Sequence, residues 1–196
     1  MENEKLWSMS CKLAGILIFV AGLQFILAMT ISEALYPNYS VSENYISDLG
    51  EPSKAGSVAY IFNSSVFLLG ALILAAAYLI QRSFNYKILF GCLILTGIGA
   101  MGVGLFPESF GILHTIVSFI TFFFGALSAI FSYKLQKTPL SCLAVILGAL
   151  SLLALILFGL NIYLELGKGG MERMVAYPTL LWALGFGGHL AGSSES

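Results

Sequence analysis

Six long apolar runs separated by short polar breaks organise the chain. They fall at about 11–31, 57–80, 87–106, 110–133, 139–160 and 174–191. Each is near the roughly 20 residues that carry an α-helix across a bilayer. The pattern predicts an all-α fold: a polytopic membrane protein, built as one six-transmembrane-helix bundle over residues 1–196. The first run is long and no small-residue cleavage pattern follows it, so it reads as the first membrane helix rather than a cleaved signal.

The breaks are unequal. Two are short, "QRSFNY" and "KLQKT", and both lie on the side that six crossings assign to the two termini. The long break runs from about Ser32 to Gly56 on the opposite, outer side. Its centre, "YSVSENYISDLG", is densely polar. Ser40-Val41-Ser42-Glu43 fits a helix capping box, and Gly50 with Glu51-Pro52 supplies an exit. These signals predict a short interfacial helix from about Val41 to Leu49, lying over the outer mouth of the bundle. It would place Asn44, Ser47 and Asp48 near one face.

Composition sharpens the membrane reading. Hydrophobic residues make up 58% of the 196 and charged ones 10%, against about 25% charged in a soluble domain. Lys5, Lys12, Arg82, Lys87, Lys134 and Lys137 fall on the side of the termini, and Lys54, Lys168 and Arg173 on the other. This bias predicts a multi-pass cell-membrane protein with both termini cytoplasmic. The outer side is acidic, holding Glu33, Glu43, Asp48, Glu51, Glu108, Glu165 and Glu172. No basic stripe points to nucleic acid; the expected partners are bilayer lipids. Cys11, Cys92 and Cys142 have no metal-type spacing and read as small buried hydrophobes. Glycines in the third, fourth and sixth runs, such as Gly97 and Gly125, predict close helix packing.

Candidate chemistry gathers on the outer side. His114 lies about one turn inside an apolar run. It has a structural reading, joined to one carboxylate, and a functional one as base or metal ligand. Ser47, His114 and Asp48 or Glu108 could act as nucleophile, base and orienter. With Asp48, Glu108 or Glu172, His114 could instead hold zinc, and it leads the metal candidates. No HExxH, GxSxG or cysteine pair marks either arrangement. Arg173, at the membrane end of the last run, needs a partner; Asp48 and Glu108 are the expected ones. His189, near the inner end of that run, reads as structural.

The landmarks "SENYISDLG", an Asn in the second run, "GLFPES" with His114 behind it, and "GGMERMVAYPTLLWAL" resemble a family of six-span prokaryotic membrane proteins, domain of unknown function 998. The resemblance covers nearly the whole chain. It implies a common six-helix fold, and the residues matching the family's landmarks are Ser47, Asp48, Asn63, Pro107, Glu108, His114, Glu172, Arg173 and Tyr177. It implies no reaction. Alkaline ceramidases are a looser likeness: they use a histidine-rich zinc site, whereas this chain has two histidines on opposite faces.

The leading functional expectation is an outward-facing polar pocket binding a lipid head group, with Asn44, Asn63, Glu172, Arg173 and Tyr177 as candidate ligand-binding residues. The alternative is a membrane-embedded hydrolase acting on a lipid through Ser47, Asp48, Glu108 and His114. A small transporter is the third reading, weakened by a bundle interior nearly free of charge.

Overall fold

The computed structural model describes residues 2–192, with side chains from Met9 onward; Lys5, counted in the charge bias above, lies outside the described side chains. Seven α-helices follow one another: α1 (Glu2–Leu35), α2 (Pro52–Ala55), α3 (Val58–Phe84), α4 (Lys87–Leu105), α5 (Ile112–Phe131), α6 (Leu140–Gly159) and α7 (Gly167–Gly192). No strand occurs among the described residues. Five segments are long and apolar enough to cross a membrane: Met9–Leu35, Val58–Phe84, Lys87–Leu105, Ile112–Leu135 and Leu140–Gly159. The sixth run is also a helix of ample length. Its glycines, Pro178, His189 and the Glu172-Arg173 pair dilute its apolar character, and it begins earlier than expected, at Gly167. Glu172 and Arg173 are therefore helical residues, set in the second turn of α7.

Local chemistry sets the ends. Asn85 adopts a left-handed conformation (φ 47°) and stops α3, a common use of Asn after a helix. Pro52 sits in the first turn of α2, where its missing N–H costs nothing.

The six long helices close into a ring. Each packs on its chain neighbour, α1 on α3, α3 on α4, α4 on α5, α5 on α6 and α6 on α7, and α7 returns to α1. Gly70 and Gly97 bring α3 and α4 into near backbone contact: a Cβ on Gly70 would stand 2.4 Å from the Gly97 carbonyl. Inside the ring, one apolar cluster gathers Ile18, Ile80, Leu89, Leu93 and Phe186 toward the inner end. A second joins Phe25, Phe62, Val66 and Leu180 to Ile46 and Leu49 of the outer loop. The outside of the ring is apolar too: Leu27, Ile98, Ile116 and Leu153 are each about half exposed, as expected of a lipid-facing surface. Cys11 and Cys92 are buried as expected; Cys142 is exposed.

The predicted helix Val41–Leu49 does not form. Turns cover residues 41–43, a bend follows at Asn44, and one 3-10 turn spans Ser47–Gly50 before α2. Side chains outcompete the helical ladder here. Asn44 Oδ1 accepts from Ser40 N (3.0 Å), and Asp48 Oδ2 accepts from Tyr45 N (2.9 Å) and Asn44 Nδ2 (3.2 Å). Only half of the capping box is made: Ser40 Oγ accepts a long bond from Glu43 N (3.4 Å). Ile46 and Leu49 are driven into the bundle, at 4% and 0% exposure. The loop is an ordered cap without being an α-helix.

Candidate functional site

The cap rests on the start of α7. Gly169 N donates to Ser42 O (2.9 Å), and no side chain could intervene: a Cβ on Gly169 would lie 1.9 Å from the Asn44 carbonyl oxygen. Gly167, at φ 75°, meets Ser42 in the same way. One turn beyond Gly169, Arg173 is 4% exposed. Its Nη1 donates to Val41 O (3.1 Å), Asn44 O (3.4 Å) and Gly169 O (2.9 Å). Its Nη2 donates to Tyr39 Oη (2.6 Å) and pairs with Glu33 at the end of α1 (2.5 Å). The expected partners, Asp48 and Glu108, are thus replaced by Glu33. The planar fork reaches several acceptors at once, which a carboxylate further along the loop would not use. Burial pushes the Tyr39 phenol up to about 12, with Arg173 pulling the other way, so Tyr39 keeps its proton and donates to Tyr45 O (3.0 Å).

Asp48 and Glu108 share Lys54 instead. This ammonium links the cap to the turn between α4 and α5. Burial works against both charges, but the bonds overcome it. Asp48 is held below its ordinary value by Lys54, Asn44 and the Tyr45 N–H, and Lys54 is raised by the two carboxylates. Ser47 Oγ donates to Glu108 Oε1 (2.5 Å). Glu51 ties the same two segments: its Oε2 accepts from Ser109 N (2.8 Å) and its Oε1 from Ser53 Oγ (2.9 Å). Burial alone would raise the Glu51 carboxyl, but these donors hold it low. Asn63 on α3 donates to Gly50 O (2.9 Å) and pegs the cap from below.

Beneath the cap lies a cavity of about 400 Å³ between the outer ends of α5 and α6. Its polar groups include Ser47, Glu108, His114, Thr115, Ser118 and Glu172, and its aromatic wall includes Tyr45, Phe119, Phe122 and Phe158. Thr115 and Phe119 are exposed, so the cavity opens sideways between the two helices. A smaller, apolar cavity of about 100 Å³ continues into the ring toward Trp182, and Ser47, Ser118, Phe122 and Glu172 line both.

His114 faces this space with a defined geometry. Nδ1 is 2.7 Å from Phe106 O, an acceptor only, so Nδ1 carries the proton. In the neutral ring Nε2 then has a free lone pair, 3.3 Å from Ser118 Oγ, which donates to it. No hydrogen bond joins His114 to Ser47, Asp48 or Glu108 among the described residues. The expected Ser47–His114–carboxylate relay is not assembled; the hydroxyl beside the imidazole is Ser118, one turn along α5. No three His, Cys, Asp or Glu side chains among the described residues could hold a metal ion. A zinc site needs three protein ligands or more, so His114 lacks the companions for one.

Glu172 is 6% exposed and accepts a hydrogen bond from Ile46 N. No cation pairs with it among the described residues, and Arg173 points away to Glu33. Of the remaining expected residues, Asn44 serves the cap, Tyr177 is 37% exposed on α7 outside the lining, and His189 approaches Leu135 O at the inner end (3.3 Å).

The site therefore divides. Ser47, Glu108, His114 and Glu172 converge on one cavity; Asn44, Asp48, Asn63 and Arg173 build the cap above it. Glu33, Glu51, Lys54 and Ser118 were not among the expected site residues. A charge inventory of the outer face could have flagged Lys54, the one cation in an acidic link. Spacing of four from His114 could have flagged Ser118. Glu33, 140 residues from Arg173, carried no local signal.

No curated protein and no solved structure matches the chain. A family model does, described as "Protein of unknown function (DUF998)", over residues 19–189. That match covers most of the chain and every residue of the cavity and cap, and so the chain belongs to the DUF998 family.

Proposed function

We propose that this protein is a single-domain cell-membrane protein of six spans, α7 completing the five evident ones, with both termini cytoplasmic. Its outer cavity takes up the head group of a bilayer lipid. The observation that carries the reading is the cavity itself: about 400 Å³, with polar groups on its inner side, aromatic walls, and a mouth at exposed Thr115 and Phe119 rather than under the cap. Pockets of this size with a few convergent polar groups are typical of small-ligand sites. A mouth on the lipid-facing surface suits a ligand arriving from the bilayer.

Gly159 supplies the test. It lines the cavity, and a Cβ there would meet nothing within 4 Å. Gly159→Trp should block the mouth without disturbing the bundle. Native mass spectrometry of protein purified in mild detergent should show one retained lipid on wild type and none on Gly159→Trp, at equal melting temperature. Equal lipid retention by both would refute the cavity as the lipid site.

One observation favours catalysis as a second reading. Ser118 Oγ bonds His114 Nε2 at the cavity wall, and the Phe106 carbonyl anchors His114 Nδ1, the order in which a base and its orienter activate a hydroxyl. On that reading Ser118 would replace Ser47 as the attacking group. Turnover of radiolabelled lipid that disappears in both Ser118→Ala and His114→Ala would support it; turnover unchanged in either variant would sink it.

A further inference from the structure

We propose that the cavity selects a positively charged head group, an ammonium, and that Glu172 is the residue that recognises it. This deepens the lipid-binding reading and rests on it. Glu172 is buried at 6% exposure, lines both cavities, and has one hydrogen-bond partner among the described residues, the Ile46 N–H. Its other carboxylate oxygen has no hydrogen-bond donor among the described residues. A buried carboxylate with no cation is costly unless it is neutralised. Every other buried or half-buried carboxylate around the cap is satisfied from within the fold: Asp48 and Glu108 by Lys54, Glu33 by Arg173, and Glu51 by Ser53 and Ser109, while Glu43 is exposed to solvent. Glu172 is the buried acid left over, and it is the one facing the cavity.

The walls agree with the charge. Tyr45, Phe119, Phe122 and Phe158 present aromatic surface to the same space, and ring faces attract ammonium groups. The Lys168 ammonium already lies 4.9 Å from the centre of the Tyr45 ring, which shows that this ring accepts a cation on one of its faces. No Lys or Arg lines the cavity, so a phosphate or carboxylate placed inside would meet Glu172 without a counter-charge. The ammonium could belong to a phospholipid such as phosphatidylethanolamine or to a free lipophilic amine. Both place the same charge in the same place.

The experiment uses the full chain in maltoside detergent, titrated with tetradecylamine and, as matched probes, tetradecanol and tetradecyl sulfate. Binding is read from the fluorescence of Trp182, which lines the adjoining apolar cavity. The amine should bind about tenfold more tightly than the alcohol, the difference that one charge-assisted hydrogen bond provides. Glu172→Gln keeps an acceptor for Ile46 N and should abolish the amine's advantage while alcohol binding remains. Phe119→Leu, at the exposed wall, should reduce the advantage severalfold without touching Glu172, and so serves if the buried variant fails to fold. Competition by phosphatidylethanolamine nanodiscs but not by phosphatidylglycerol ones identifies the phospholipid as the source. Competition by neither identifies the free amine. Binding of all three probes with equal affinity overturns the charge selection and leaves the lipid cavity standing. Binding of none overturns the cavity reading and this inference with it.

Discussion

Replacing Arg173 with methionine removes the cation that holds the cap while roughly preserving bulk. The guanidinium supplies hydrogen bonds to three carbonyls, Val41, Asn44 and Gly169, and to Tyr39, and forms the ion pair with Glu33. Breaking a buried pair by removing one partner costs about 3–5 kcal/mol, because the remaining charge is stranded. The Glu33 side chain is 20% exposed, so water relieves part of that penalty and the lower end, about 3 kcal/mol, applies. For a chain of this size each kcal/mol moves the melting temperature by about 2–4 °C. Arg173→Met should therefore melt about 6–12 °C below wild type. A thiol-reactive dye in detergent reads the transition through the buried thiols of Cys11 and Cys92, above a constant signal from exposed Cys142. Arg173→Lys restores the charge, but a single ammonium cannot span acceptors at the end of α1, in the cap and on α7 together. It should recover less than half of the loss. A melt of Arg173→Met within 2 °C of wild type, or full recovery by lysine, would refute the claim that the fork is what fastens the cap.

Two further predictions concern the same end of the molecule. Gly169→Ala would place a methyl 1.9 Å from Asn44 O and 2.5 Å from Val41 O; it should raise amide exchange across residues 40–46 at least tenfold while leaving α3 to α6 unchanged, and unaltered exchange there would contradict the close seating. The depressed carboxyls of Asp48 and Glu51 contribute stability that is present above their unfolded values near 4 and is lost as pH falls through the lower folded values. Melting temperature should accordingly drop as the medium is acidified below about pH 4, more shallowly in Asp48→Asn, and parallel curves for the two proteins would count against the Lys54 pairing.

The parts legible in the sequence were those set by periodicity and composition. Each apolar run became a helix, because twenty apolar residues leave the backbone no other way to satisfy itself in lipid. The cap was legible as an ordered element but not in its conformation. Ser40, Asn44 and Asp48 favour a capped helix by spacing, yet Asn44 and Asp48 bond back to Ser40 N and Tyr45 N and replace the helix they were expected to join. The convergence of Ser47, Glu108, His114 and Glu172 followed from topology, since each lies at the outer end of its element. Partner choice did not follow. Arg173 had several outer carboxylates within sequence-level reach, and the choice of Glu33 depends on α1 packing beside α7, a ring closure no local pattern reports. Lys54 took Asp48 and Glu108 for the complementary reason: α2 sets it beside the α4–α5 turn.

The distribution of charge at the outer end argues for how a ligand would enter. All three outer cations are engaged within the fold: Arg173 with Glu33, Lys54 with Asp48 and Glu108, and Lys168 over the Tyr45 ring. The cap is fastened at four places, by Arg173, Lys54, Glu51 and Asn63. Opening it would strand several buried charges at once, each costing kilocalories. The gap between α5 and α6 asks for none of this. It is lined by Thr115, Phe119 and Gly159, which are already exposed, and no ion pair crosses it among the described residues. The polar cap thus acts as a fixed roof, and the proposed route lies through the wall, where a molecule with an apolar tail can bring its head group to Glu172 while the tail stays in lipid.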